Sequence, residues 1–284
     1  MKERADSEQV SPTAFATGYF WYRHGLSHPG LVAPEGERLY RRFRLLMGLV
    51  KGVSGMSIEA LMLARHQGID AVLAQHVESG RVGQVVEIAA GLSARGWRFT
   101  ERYGRRLTYV ETDLPHMAEL KRGLLERAGL QRPNHRVVAL DALLDRGPRS
   151  LHELAKSLDP KQGLAIITEG LMSYLDPHTA SAVWRRIAGT LHAFPFGVYL
   201  SDTYVRSDRY GLGGALFRGV IQRFVRGRMH VHFENVPQAT RVLQAAGFGA
   251  VTMHAPRDLE ATRELAAVRG GDRVRILEAL ATAS

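Results

Sequence analysis

Five short apolar runs, each followed by a polar run of helical spacing, organise the middle of the chain. Val85–Ala89, Leu107–Glu111, Val137–Leu140, Leu164–Thr168 and Phe196–Leu200 read as strands, and the stretches near 93–104, 114–128, 148–158 and 177–192 read as helices between them. Short apolar strands alternating with helices predict a mainly parallel sheet covered on both faces. Pro237 to Gly247 predicts a further helix with Gly247 as its carboxyl-terminal cap. Ala250–His254 and Arg273–Leu280 predict two final strands, with Gly270-Gly271-Asp272 turning into the last.

Roughly 80 residues before the first strand predict helix. Residues 1–10 are charged and polar and read as frayed. Phe15, Tyr19, Phe20, Trp21 and Tyr22 then form an aromatic block. Leu39, Phe43, Leu46 and Leu49 give 35–50 a helical stripe, and Ile58, Leu61, Met62, Ile69, Val72, Leu73 and Val77 mark one or two helices over 57–79. Residues 203–233 break the strand–helix rhythm with Gly211, Gly213, Gly214, Gly219 and Gly227 among Leu216, Phe217, Val220, Ile221 and Phe224. The expected organisation is a helical cover over 1–80 and a sheet domain over 81–284, with an inserted helical cap at 203–233.

Composition narrows the class. With 284 residues, 45% hydrophobic and 23% charged, the chain has the balance of a globular protein with one large α/β domain. No apolar run reaches the ~18 residues of a membrane span, and the polar start offers no secretion signal, so no membrane partner and a cytoplasmic location are expected. The absence of cysteine excludes disulfides, thiolate nucleophiles and thiolate metal sites. The net charge of +10 raises nucleic-acid binding. The dense clusters are Arg38, Arg41, Arg42 and Arg44, and Arg218, Arg223, Arg226 and Arg228, and neither lies in a recognisable nucleic-acid module. Solvated faces, or attraction of an anionic small molecule, are the readings kept. No metal site is expected, and monomer and homodimer stay open.

The candidate chemistry sits where strands end. Glu87, Glu111, Asp113, Asp141 and Glu169 all lie at or just beyond strand ends. Open α/β sheets bind ligands outside the carboxyl ends of their strands. Buried acids are costly unless paired, and each alone is as readily a helix cap; Asp113 precedes Leu114-Pro115 and suits that role too. The turn Ala89-Ala90-Gly91 is small enough for close ligand approach but lacks the Gly-x-Gly-x-x-Gly pattern of dinucleotide sites. Several acids and one small turn suit ribose hydroxyls, an adenine amine and an α-ammonium group, which together describe S-adenosylmethionine better than NAD.

Three motifs then carry a resemblance. Val85-Val86-Glu87-Ile88-Ala89-Ala90-Gly91-Leu92, then Tyr109-Val110-Glu111-Thr112-Asp113-Leu114-Pro115 with Lys121-Arg122, then Thr168-Glu169-Gly170-Leu171-Met172-Ser173-Tyr174-Leu175 occur in this order. The sequence resembles the leucine carboxyl methyltransferase family, in particular bacterial members of polyketide and small-molecule metabolism, over about residues 83–254. The resemblance implies the class I S-adenosylmethionine-dependent methyltransferase fold, Rossmann-like with a mostly parallel seven-stranded sheet. It implies S-adenosylmethionine as cofactor, with Gly91 by its methionine part, Glu111 or Asp113 on the ribose, Asp141 with Ala142 and Leu143 at the adenine, and Glu169 at the amino group. Glu87, Ala89 and Arg95 complete the expected cofactor set. Two departures stand out. The family commonly has glycine where Ala89 stands, and Asp-x-Arg where Ser93-Ala94-Arg95 stands.

Methyl transfer from a sulfonium requires alignment and exclusion of water rather than covalent help. A carboxylate acceptor needs only a positioning arginine, for which Arg23 and Arg95 are candidates. A hydroxyl acceptor calls for a base, with His24, His28 and His230 as candidates. Tyr19 and Tyr22, three apart, share a helix face and could meet a sulfonium; packing onto the sheet domain is the other reading of this block. Tyr174, just beyond the fourth strand's acid, completes the expected catalytic set of Tyr19, Tyr22, Arg23 and Tyr174. The same pocket admits a second reaction. The cofactor's own α-amino group could close on its γ-carbon, giving azetidine-2-carboxylate and methylthioadenosine, as some enzymes similar to this subgroup do.

Overall fold

A computed structural model describes residues 12–206 and 229–281. Its strands are β1 Gln84–Ile88, β2 Thr108–Asp113, β3 His135–Ala139, β4 Leu164–Thr168, β5 Gly197–Thr203, β6 Ala250–His254 and β7 Arg275–Ala281. The helices are α1 Pro12–Arg23, α2 Gly36–Ser54, α3 Ile58–Glu78, α4 Arg95–Tyr103, α5 Pro115–Arg127, α6 Leu151–Ala155, α7 Pro177–Leu191, α8 Val236–Ala245 and α9 Arg263–Ala267. The seven strands run in the order β3-β2-β1-β4-β5-β7-β6. β1 with β2, β2 with β3, and β4 with β5 are parallel, while β7 runs antiparallel to β5 and β6. The expected seven-stranded, mostly parallel sheet is present.

Local chemistry fixes the element ends. β1 and β4 are buried along their whole length, as strands covered on both faces must be. α7 opens with Asp176, whose carboxylate accepts from the His178 and Thr179 N–H groups, and with Pro177 in the first turn. Ser150 caps α6 by accepting from the Glu153 N–H, so the helix expected over 148–158 shortens to five residues. Segment 57–79 is one helix, α3, capped by the Ser57 hydroxyl.

The chain divides into two compact units, Met1–Arg44 with Gly83–Leu158, and Leu45–Val82 with Asp159–Ser284. The helical residues before β1 are thus shared between the units, which part at 44/45 and again at 82/83. In the first unit, Leu31, Ala33, Leu92, Ala94, Met117, Leu124 and Leu125 form a buried apolar cluster. In the second, α3 is apolar nearly all round and buries Ile69, Val72 and Leu73, and β4 and β5 bury Ile166, Ile167 and Leu200. Most of the helical cap expected at 203–233 falls on 207–228, outside the described residues. Thr203 itself ends β5, and Val205 bridges to Phe233.

Candidate functional site

The first unit builds a tight turn between β1 and α4. Ala89 and Gly91 both take left-handed conformations, with φ of 56° and 50°. The Ala90 N–H donates to the Thr112 carbonyl, and the Gly91 N–H donates to Asp113 Oδ2 at 2.8 Å. Asp113 Oδ1 accepts from the Leu114 N–H, also at 2.8 Å. One carboxylate at the end of β2 therefore fastens the turn after β1 and the start of α5. Burial raises the Asp113 pKa, against the two N–H groups that favour its ionised form. Among the described residues, a Cβ on Gly91 would meet the Ala14 methyl at 3.8 Å, an ordinary contact, so the turn is not crowded there.

Ala89 is the strained member of this turn. A left-handed alanine costs about 1–2 kcal/mol that glycine avoids, less roughly 0.4–1 kcal/mol for glycine's freer unfolded chain. Ala89→Gly is expected to leave stability unchanged or raise it by up to about 1 kcal/mol, whereas Gly91→Ala is expected to lower it by about 1–2 kcal/mol. Urea midpoints of the two variants check the pair; a clear loss in Ala89→Gly would show that the strain is absent.

The other first-unit acids are committed internally. Glu87 receives the Arg95 guanidinium on one oxygen and the Tyr109 hydroxyl on the other, at 2.7 Å. Both members of this ion pair are buried, and Arg95 is the largest fully buried side chain of the chain's described residues. Burial pushes the Glu87 carboxyl up, with Arg95 opposing. Glu111 faces the Lys121 ammonium at 2.8 Å and His135 Nε2 at 3.0 Å, and accepts from the Gly96 N–H at 3.1 Å. Burial disfavours its ionisation, yet Lys121 and His135 prevail and hold its pKa at about 2. Gly96 is required here, because a Cβ would lie 2.8 Å from the Glu111 carboxyl and 2.7 Å from His135. Glu87, Glu111 and Arg95, all expected at the cofactor, stand in ion pairs within the unit. An acid inside a sheet needs a partner of its own, and each of these three has found it within the unit.

Of the remaining first-unit candidates, Asp141 is partly buried and caps its own loop, accepting from the Leu143 N–H at 2.9 Å, with Ala142 partly buried beside it. Tyr19 and Tyr22 do share a face of α1, their rings edge to face at 5.8 Å, and Tyr19 also meets Tyr40 at 5.1 Å. Tyr22 and Arg23 are exposed, whereas Phe20 and Trp21 are buried. His28 Nδ1 accepts from the Gly30 N–H, and the His24 ring packs on Phe20.

The second unit carries a separate polar group at the ends of β4 and β5. Glu169 Oε1 accepts from Arg65 Nε and Oε2 meets His66 Nδ1, each at 2.9 Å. Arg65 also faces Asp202 at 3.7 Å, and Asp202 accepts from the Gly170 N–H at 2.7 Å. Burial opposes the charge on Arg65, but Asp202 and then Glu169 hold its pKa above the ordinary value. Tyr174, in the short turn Met172–Tyr174, is 41% exposed. His230 is tied to this turn through its backbone N–H on the Ser173 carbonyl. Close by, His232 Nε2 donates to the Met172 carbonyl at 2.7 Å, which leaves Nδ1 as the unprotonated nitrogen of the neutral ring. Arg65, His66, Asp202 and His232 are absent from the expected site set. The signal for the first two was an Arg-His pair directly after the apolar run Ala60–Ala64 of α3.

The comparisons with known proteins now bear on these geometries. The family model for leucine carboxyl methyltransferase matches residues 44–188. The chain belongs to the leucine carboxyl methyltransferase family. A candidate S-adenosyl-L-methionine-dependent methyltransferase of Mycolicibacterium paratuberculosis (strain ATCC BAA-968 / K-10) is 35% identical over 127 residues, 44% of this chain and 40% of that protein. One from Mycobacterium ulcerans (strain Agy99) is 34% identical over 111 residues, 39% of this chain and 35% of its own length. The matches thus span less than half of these relatives. Among solved structures, the apo S-adenosylmethionine-dependent methyltransferase SibL superposes with a TM-score of 0.54 at 18% identity, covering 87% of this chain and 59% of its own. A candidate O-methyltransferase of Nostoc punctiforme PCC 73102 gives 0.51 at 13% identity, covering 84% of this chain and 68% of its own. At such identities these neighbours show the fold, that of class I S-adenosylmethionine-dependent methyltransferases. S-adenosylmethionine is accordingly the cofactor of this fold and family. Among the described residues no single helix is long and apolar enough to cross a membrane, and no cluster of three or more His, Asp or Glu side chains is arranged to hold a metal.

Proposed function

We propose that this chain is an S-adenosylmethionine-dependent methyltransferase acting on a carboxylate or hydroxyl of a small metabolite. The observation that carries the reading is Asp113. Its carboxylate is fixed by two backbone N–H groups, at a turn whose described neighbours do not crowd Gly91. Each oxygen keeps a further lone pair, so the pair suits a ribose diol. Asp141 and Ala142, partly buried, suit an adenine edge. Glu169 suits an ammonium group, and Arg65 beside it a carboxylate. The cofactor supplies a methyl group on a sulfonium. The chain's task is to hold it, align the acceptor and exclude water. Tyr22 and Arg23, exposed on α1, are the candidates to meet the acceptor, and Tyr174 is the candidate on the second unit. A small-molecule acceptor fits better than nucleic acid or membrane, and a cytoplasmic role in secondary metabolism fits the resemblance.

Incubation of the protein with S-adenosylmethionine, with and without candidate acceptors, tests this. Methyl transfer is expected to release S-adenosylhomocysteine only when an acceptor is present. Release of methylthioadenosine with azetidine-2-carboxylate and no second substrate would overturn methyl transfer in favour of the internal ring closure, which no feature of the structure favours.

A further inference from the structure

The first unit carries a cleft along the edge strand β3, on the side away from β1. α5 and the beginning of β3 enclose about 520 Å3, within the roughly 300–1,000 Å3 of small-molecule sites. Its apolar lining is Leu125, in the buried cluster, and Val137, packed against it, with Val138 on the other face of the edge strand. Its rim is basic, with Arg122, Arg132 and Arg136. The register pairs Tyr109 with His135 and Asp113 with Ala139. The cleft therefore runs along β3 from the level of Tyr109 to that of Thr112 and begins about 13 Å before the level of Asp113.

The rim arginines are only lightly engaged. Arg122 reaches the Val137 carbonyl at 3.4 Å and Arg136 the Ser157 hydroxyl at 3.5 Å, both neutral and distant acceptors. Arg132 pairs with Glu101 through one amino group, and its Nε is buried without a partner. Among the described residues, Glu126 is the one acid lining the cleft. β3 is the terminal strand of the sheet, and charged side chains on an edge strand discourage pairing with other chains. That purpose needs charge alone. It needs neither an apolar lining nor a cleft of this volume.

We infer that this cleft binds a small anionic amphiphile, its carboxylate or phosphate head among Arg122, Arg132 and Arg136 and its apolar body on Leu125 and Val137. Calorimetry on the full chain with decanoate, decyl phosphate, decanol and inorganic phosphate, each below its aggregation threshold, tests it. At least one anionic amphiphile should bind saturably at one site, and decanol and inorganic phosphate at least tenfold more weakly. Arg122 and Arg136 are exposed, so the double variant Arg122→Ser, Arg136→Ser should fold, bind S-adenosylhomocysteine as the parent does, and lose at least tenfold in amphiphile affinity. Absence of saturable binding by both anions, equal binding of decanol, or an unchanged double variant would overturn the inference. So would an acidic peptide that displaces the amphiphile and binds tenfold tighter, since strand addition would then be the role of this edge.

Discussion

Arg95→Leu is expected to destabilise the chain by about 3–5 kcal/mol, the range for removing one partner of a buried ion pair. Whole-domain stabilities of about 5–15 kcal/mol make that a large fraction. Arg95 is fully buried and Glu87 is 1% exposed. With the guanidinium gone, the Glu87 carboxyl keeps only the Tyr109 hydroxyl among its partners described here, and burial already raises its pKa. The carboxyl then takes up a proton or draws in water, and both cost stability. The double variant Glu87→Gln, Arg95→Leu should recover part of the loss, because no uncompensated charge remains. Urea denaturation followed by circular dichroism supplies all four corners of the cycle. A single variant within 1 kcal/mol of the parent would show that the pair does not hold this unit together, and would return Arg95 to the set of cofactor contacts.

The contrast between Arg95 and Asp113 shows how far the chain could be read before its structure. β4 and β6 match the expected Leu164–Thr168 and Ala250–His254 to the residue, and β1 is displaced by one. β4 is wholly apolar up to Thr168, so its burial is written in residue type. β3 begins at His135, two residues before the expected Val137, because its first residue is a histidine buried on Glu111. β5 continues through Ser201, Asp202 and Thr203 because β7 pairs with it antiparallel over those residues. Polar residues hidden by a distant strand leave no mark in an apolar-run pattern. The site divides in the same way. That Gly91 and Asp113 meet was legible because one strand–turn–helix unit brings them together. Whether an acid at a strand end serves a ligand or an internal partner depends on side chains elsewhere, so Glu87 and Glu111 looked like Asp113. Arg65 and His66 lie more than 100 positions from Glu169, and only the folded helix brings them to it.

Asp113→Ala is expected to weaken binding of S-adenosylhomocysteine and methylthioadenosine by about 10- to 100-fold. Hydrogen bonds to a charged group contribute about 1.5–3 kcal/mol, and the substitution removes both those offered to a ribose and those that fasten the turn. The two ligands share the ribose and differ beyond sulfur, so their losses should be similar if Asp113 holds the diol. Asp113→Asn keeps the size but replaces one acceptor oxygen with a donor, which cannot accept from either the Gly91 or the Leu114 N–H. Its loss should therefore approach that of alanine. The parent should show a pH dependence that neither variant shows. Burial raises the Asp113 pKa, so binding should be full at neutral pH and fall as the carboxyl protonates, beginning above the ordinary carboxylate range. Calorimetric titration from pH 7 down to about pH 5 reads this directly. Parent-like affinity in both variants, with the same pH profile, would remove Asp113 from the ribose and leave it as a fastener of the turn alone.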